Sequence, residues 1–336
     1  MLFTAPTVFS FYCGGIMKLK QIQDLFVKEG MKEDPRGIGE VELDLLKRKQ
    51  DYDALSKEKK EKFDLESLEN PYYDSRILNG AKETEVKTVM VGIDIETPEI
   101  LLAKQLINSG KKIDLVIAHH PEGYAYSTFH NVLSMQSDIL HKIGIPINIG
   151  EKLLSPRIKE VHRSVMPQNN ERVSDAAKLL DVNIMTAHTV ADNHVASFLQ
   201  KEIDALSPRY LKDIIAFLNK QPEYKHSADF ALPPVILLGN DDSRCGKVFV
   251  DMTGGTEGPV EVFEKLSSAG VGTIICMHLS PKAVKEAEKY NLNVILAGHI
   301  SSDNLGLNLL FDKLEKEHGK LDFIEASGFR RFRRNA

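Results

Sequence analysis

Tryptophan is absent from the 336 residues, and the three cysteines, Cys13, Cys245 and Cys276, form no CxxC pair. Cysteines this few and scattered exclude a disulfide scaffold and a cysteine-rich zinc module. No run of about 18 apolar residues occurs, so no membrane-spanning helix is expected. An excess of basic charge is also missing. Acids outnumber bases by 48 to 43, for a net charge of −5, which excludes a global basic field and general nucleic-acid binding. What remains is an ordinary folding composition, 42% hydrophobic and 27% charged. At roughly 150 residues per domain, the length suggests two. The first sixteen residues are apolar but lack a basic n-region and a clean A-x-A cleavage site. The expectation is a disordered leader over 1–16 ahead of a cytoplasmic protein, with Met17-Lys18 opening the folded chain. The final FRRFRRNA reads as a basic, solvated tail.

Residues 18–30 carry Leu19, Ile22, Leu25 and Phe26 at helical spacing, closed by a glycine. Residues 31–85 are polar, with KEKKEK at 57–62, and read as a solvated insertion. From 86 the pattern alternates. Apolar strands at 86–95, 114–118, 183–187, 235–239, 247–252, 272–277 and 293–298 are separated by helical stretches, among them 97–110, 128–143, 151–181, 193–219, 259–269, 281–290 and 303–317. Alternation of this kind predicts an α/β fold with parallel sheet portions. The less regular segment 220–234 reads as a connection between two lobes: a first at 17–219 and a second at 220–336.

Four of the apolar strands end in histidine: DLVIAHH (His119, His120), NIMTAH (His188), GTIICMH (His278) and NVILAGH (His299). Ligands of open α/β sheets bind beyond the carboxyl ends of the strands, so side chains there face a crevice. A lone strand-end histidine is usually a satisfied polar residue. Five of the eleven histidines, at four strand ends, point to a shared site. Two carry an acid four residues later, Asp192 after His188 and Asp303 after His299. If a helix starts at the turn, that spacing puts both side chains on one side. Asp at either position also suits a helix cap, but two such pairs beside an HH pair form a metal-ligand pattern. Imidazoles and carboxylates without thiolates suit Zn, Fe, Mn, Co or Ni, and exclude the usual structural zinc site. Five or six convergent ligands favour two divalent metals over one.

The motifs IAHHP (117–121), TAHTVAD (186–192) and AGHISSD (297–303), with the glycine-rich TGGTEG (253–258) between the last two, resemble those of the NIF-three-like dinuclear metal-centre family, also known as type 2 GTP cyclohydrolase I. The likeness spans roughly 17–318. It implies His119, His120, Asp192, His299 and Asp303 as metal ligands, with His188 in a supporting position orienting Asp192. Asp303 stands where the family has glutamate, and its shorter reach implies one metal bound instead of two bridged. His188 and His194 are candidate proton carriers, and His278 is expected to line the site. The resemblance further implies two related α/β lobes with mixed sheets facing each other across a metal-binding cleft, and a ring-shaped homohexamer.

A dinuclear centre activates water near neutral pH and polarises a substrate. The expected activity is hydrolysis of a nucleotide-like or phosphorylated small molecule, with ring opening of GTP the form the resemblance implies. TGGTEG could offer backbone N–H groups to an anion or be a plain strand-to-helix turn. GNDDSRCGK does not fit a P-loop. A dinuclear phosphoesterase or amide hydrolase is an alternative within enzymes. A metal- or partner-binding regulator that forms a ring without catalysis is the alternative outside them.

Overall fold

The computed structural model describes residues 16–334. The expected leader, apart from Ile16, lies outside the described residues, as does Cys13. The chain opens with β1 (Met17–Lys18), α1 (Leu19–Lys32), α2 (Ile38–Asp53) and α3 (Lys57–Glu61), followed by β2 (Ile77–Asn79) and β3 (Glu85–Val86). Next come β4 (Thr88–Gly92), α4 (Thr97–Asn108), β5 (Leu115–Ala118), α5 (Gly123–Thr128), α6 (Met135–Ile143), α7 (Ile147–Val165), α8 (Arg172–Leu179) and β6 (Ile184–Thr186). Then follow α9 (Thr189–Leu206), α10 (Leu211–Leu218), α11 (Pro222–Asp229), β7 (Val235–Leu238), β8 (Lys247–Asp251), α12 (Val262–Ser268) and β9 (Val271–Cys276). The last elements are α13 (Pro281–Lys289), β10 (Asn293–Leu296), α14 (His299–His318) and β11 (Asp322–Glu325).

Every residue of β4, β5 and β6 is buried. Continuous Val/Ile/Leu runs of this kind form parallel strands covered on both faces. They make the centre of a five-stranded sheet in the order β11-β4-β5-β6-β2, parallel except for β2. A second sheet runs β7-β10-β9-β8, parallel except for its edge strand β7. A short antiparallel pair, β1-β3, completes the set. Among the described residues, no helix is long and apolar enough to cross a membrane.

The two lobes interlock. Val132, Met135, Ile139 and Leu140, which precede β6 in the chain, pack with Phe249, Val271, Ile274 and Val294 of the second sheet. Helix α14 is buried over most of its length and joins two cores, through Leu305 on one side and Leu307, Leu310 and Phe311 on the other. It returns the chain to the first sheet, where β11 pairs beside β4. A division at 219/220 therefore does not follow the sheets at the C-terminal end.

Three further expectations change. The stretch 31–85 is solvated over α2, where only Val41 is buried, but Tyr72, Asp74, Ser75 and Arg76 are buried and β2 joins the sheet beside β6. The connection 220–234 contains α11, begun by Pro222 in its first turn, where proline costs no hydrogen bond. The C-terminal arginines are not a free tail. Arg331 donates to Asp312 (2.6 Å) and Glu315 (2.8 Å), Arg333 to Glu315 (2.9 Å) and Arg334 to Glu223 (2.7 Å). Asp312 and Glu315 lie three apart on α14 and so share a face that draws the arginines in.

Candidate metal centre

The HH pair follows β5 without leaving its register. The His119 and His120 amides donate to the carbonyls of Gly92 and Ile93, extending the β4–β5 ladder by two bonds. The two imidazoles lie 5.2 Å apart, tilted by 47°. His188 leaves β6 as the N-cap of α9, and Asp192 sits in that helix's first turn. His299 begins α14 directly after Gly298, which takes φ +104° and leaves no room for a side chain because a Cβ there would meet Ser301 Oγ at 2.7 Å. Two helices that start on these residues carry each acid one turn further, as the i, i+4 spacing predicts. His188 Nε2 lies 3.6 Å from Asp192 Oδ2, and His299 Nε2 lies 3.6 Å from Asp303 Oδ2.

All six residues meet in one cluster. His119 Nε2 is 3.5 Å from Asp192 Oδ1 and 3.4 Å from Asp303 Oδ1. His120 Nε2 is 3.5 Å from Asp303 Oδ2 and 3.3 Å from His299 Nε2. Two sets of three, His119/His120/Asp303 and His119/His188/Asp192, bring ligand atoms within 4.8 Å of one another and could hold a metal ion. Asp303 turns one oxygen to His119 and the other to His120 and His299, so its shorter side chain still reaches both sides. His188, expected in a supporting position, presents Nε2 within the cluster.

The outer nitrogens explain why the inner ones are free. His119 Nδ1 donates to the Ala187 carbonyl at 3.0 Å, His120 Nδ1 to Asp94 at 2.6 Å and His188 Nδ1 to Asp74 at 2.8 Å. A histidine tied in this way at Nδ1 offers its Nε2 lone pair to a cation in a fixed orientation. Within the cluster, His119 Nε2, Asp192 Oδ1 and both oxygens of Asp303 are buried with no hydrogen-bond partner. Leaving such groups unpaired costs about 1–3 kcal/mol each, more for charged ones.

Charge within the cluster is strongly coupled. Burial alone would raise the Asp303 carboxyl, but the surrounding histidines, His119 first, outweigh it and hold Asp303 far below the usual carboxylate range. Asp192 has weaker compensation, and burial pushes it up to about 6. His120 is buried, which alone would lower it, yet the negative charge of Asp303 beside it and its bond to Asp94 carry it up to about 10. A metal at Nε2 must displace that proton.

The cluster lies in the wall of a cavity of about 470 Å³. His278 lines it, its ring 5.0 Å from that of His299. His194 does not line it. Two positions after Asp192 it leaves α9 on another face, with Nδ1 2.7 Å from the Val190 carbonyl and Glu33 and Lys313 as charged neighbours. Of the TGGTEG turn, Thr253, Gly255, Thr256 and Glu257 reach the cavity. Gly254 and Gly255 adopt φ +97° and +90°, and Gln136 Nε2 donates to the Gly254 and Thr256 carbonyls at 2.8 Å each.

Three acids escaped sequence reasoning. Asp94 ends a strand just as the histidines do, so the same strand-end rule could have found it. Asp74 carries no such signal, because it sits in the polar stretch before β2. Glu122 lines the cavity near Arg172, and burial together with Glu96 pushes its carboxyl up to about 7.

No protein-family model matches the chain, and no curated protein matches it. Among solved structures, it is similar to a NIF3 superfamily protein from Sphaerobacter thermophilus, at 28% identity over 76% of this chain and 92% of that one, with a TM-score of 0.66. Reduced HcgD from Methanocaldococcus jannaschii aligns at 15% identity over 93% and 98% of the two chains, TM-score 0.46. TTHA1606 from Thermus thermophilus aligns at 16% identity over 78% and 92%, TM-score 0.42.

Proposed function

The chain belongs to the NIF3 superfamily, and from that premise we propose that it binds two divalent transition metals and is a metal-dependent hydrolase of a nucleotide-like or phosphorylated small molecule. One observation carries the metal reading: the buried Asp303 carboxylate has both oxygens unpartnered, each turned to a different group of imidazole nitrogens. His120, His299 and one Asp303 oxygen would hold one ion, and His119, His188 and Asp192 the other, with the second Asp303 oxygen facing the latter set. Nitrogen and carboxylate donors without sulfur fit Zn, Fe, Mn, Co or Ni.

When bound, such a pair supplies Lewis acidity and an activated water near neutral pH. The chain's own residues do the rest. Asp94, Asp74 and the Ala187 carbonyl fix the imidazole planes. A cavity of about 470 Å³ suits a small molecule and not a polymer. The exposed Arg172, on the rim, offers a guanidinium to an anionic substituent. Glu122, with its carboxyl near 7, accepts the proton from the attacking water.

The test is turnover by metal-loaded protein across nucleotides, phosphoesters and cyclic amides, beside His120→Ala. The reading expects metal-dependent hydrolysis by the wild type, and loss of metal and activity in the variant with an unchanged circular dichroism spectrum. Inactivity of fully loaded protein across the panel would instead favour a non-enzymatic metal-binding role.

A further inference from the structure

The carboxyl ends of the second sheet form a row across the cavity wall. Asp251 ends β8 and pairs in register with Cys276 of β9, which pairs with Leu296 of β10, three residues before His299. At about 4.8 Å per strand, the backbone of Asp251 stands roughly 10 Å from that of Leu296, two strands away. Asp251 lines the same cavity. Of the other acids of the wall outside the cluster, Glu96 and Glu257 have bonding partners. Glu257 accepts from the Ser280 amide and hydroxyl (3.3 and 3.0 Å), and Glu122 has the guanidinium of Arg172 as a charged neighbour without a bond to it. Asp251, among the described residues, has no hydrogen bond or ion pair, and its side chain is accessible within the cavity.

A free carboxylate at a strand's carboxyl end, walled by protein but open to a ligand, offers two acceptor oxygens and no donor. We propose that Asp251 is a specificity-determining residue: it accepts two adjacent N–H groups from the edge of a planar ligand, such as a 2-amino heterocycle, whose far end reaches the His/Asp cluster. This rests on the reading of the cavity as a substrate site, and it adds the hydrogen-bonding character of the substrate's distal edge. Partial desolvation by the surrounding cavity wall, with the negative charge of Glu257 on the adjoining turn, pushes the Asp251 carboxyl up to about 6, and the Cys276 thiol lies beside it on β9. Acceptance of two N–H groups needs the deprotonated form, so affinity is full above that pH and falls below it.

The experiment is a binding titration of metal-loaded, full-length protein with three neutral probes: isocytosine, which presents adjacent N–H and NH2 donors; pyrimidin-4-one, which lacks the amino group; and uracil, which presents a carbonyl beside N–H. The wild type is expected to bind isocytosine about tenfold or more tightly than pyrimidin-4-one, since hydrogen bonds to a charged group are the strong ones. That preference should fade from pH 7 to pH 5. Asp251→Asn, which offers one donor and one acceptor, should shift preference to uracil and keep wild-type metal content. Equal affinities for isocytosine and pyrimidin-4-one, or an unaltered preference in Asp251→Asn, would overturn the proposal. Metal content and turnover are read separately. A protein without turnover that still prefers isocytosine through Asp251 sinks the hydrolase reading alone, and turnover without the preference sinks this one alone.

Discussion

At the residue scale, metal binding by the cluster depends on which nitrogen of each histidine is free. Asp74 and Asp94 decide this for His188 and His120 by accepting a hydrogen bond from Nδ1–H, which keeps the proton there. Replacing either acid with Asn leaves a hydrogen bond but removes the charge that makes the imidazole a strong donor. Asp74→Asn and Asp94→Asn should each weaken metal binding about tenfold or more, read by competition against a chromogenic chelator, with folding retained. Glu122 makes a different prediction. Its carboxyl, near 7, is protonated below that pH and cannot accept a proton there. Activity should therefore rise with pH through about 7, and Glu122→Gln should lower kcat by roughly 10²-fold or more and flatten that limb of the profile. The strand-end histidines were legible from sequence because apolar runs mark strands and the residue after each run stands at a known edge. Asp74 was not, since it reaches His188 only through the packing of an irregular segment that no periodicity describes.

At the element scale, the crossing of α9 and α14 positions both acids. Gly306 of α14 sits against the backbone of Ala191, where an added Cβ would come within 2.4 Å of the Ala191 carbonyl oxygen. Ala191 immediately precedes Asp192, and Gly306 lies one turn beyond Asp303. Gly306→Ala must push the helices apart, because backbone cannot yield as a side-chain tip does. It should cost about 2 kcal/mol in urea unfolding and weaken metal binding as the two carboxylates separate. The sequence placed these helices at 193 and 303 and made a shared side conditional on a helix beginning at the turn; α9 and α14 begin earlier, at Thr189 and His299, and each histidine and its acid share a side. His194 shows the limit of such reading. Proximity in sequence to Asp192 suggested a role at the site, but two residues along a helix turn a side chain to a different face. The basic C-terminal segment shows another. Its composition reads as solvated, while its pairing depends on Asp312, Glu315 and Glu223, which only the fold brings together.

At the scale of the whole molecule, the cluster joins ends of two sheets: His119 and His120 from the first, His299 and Asp303 from the second. Alternation along the chain predicted both sheets. It did not predict that α6 packs on the second sheet or that β11 returns to the first, because parallel pairing across long separations leaves no local mark. Ions held across that seam should stabilise the fold as a whole. At a hundredfold excess over Kd the linkage amounts to about 2.7 kcal/mol, so chelation should lower Tm on the order of 5 °C, measured by scanning calorimetry with and without EDTA. The proposed dinuclear centre can be tested directly. The most direct measurement is anomalous diffraction from crystals of metal-reconstituted protein. Two peaks are expected, one contacted by His120, His299 and Asp303 and the other by His119, His188 and Asp192. No peak among these residues, with elemental analysis giving less than one transition metal per chain, would contradict it.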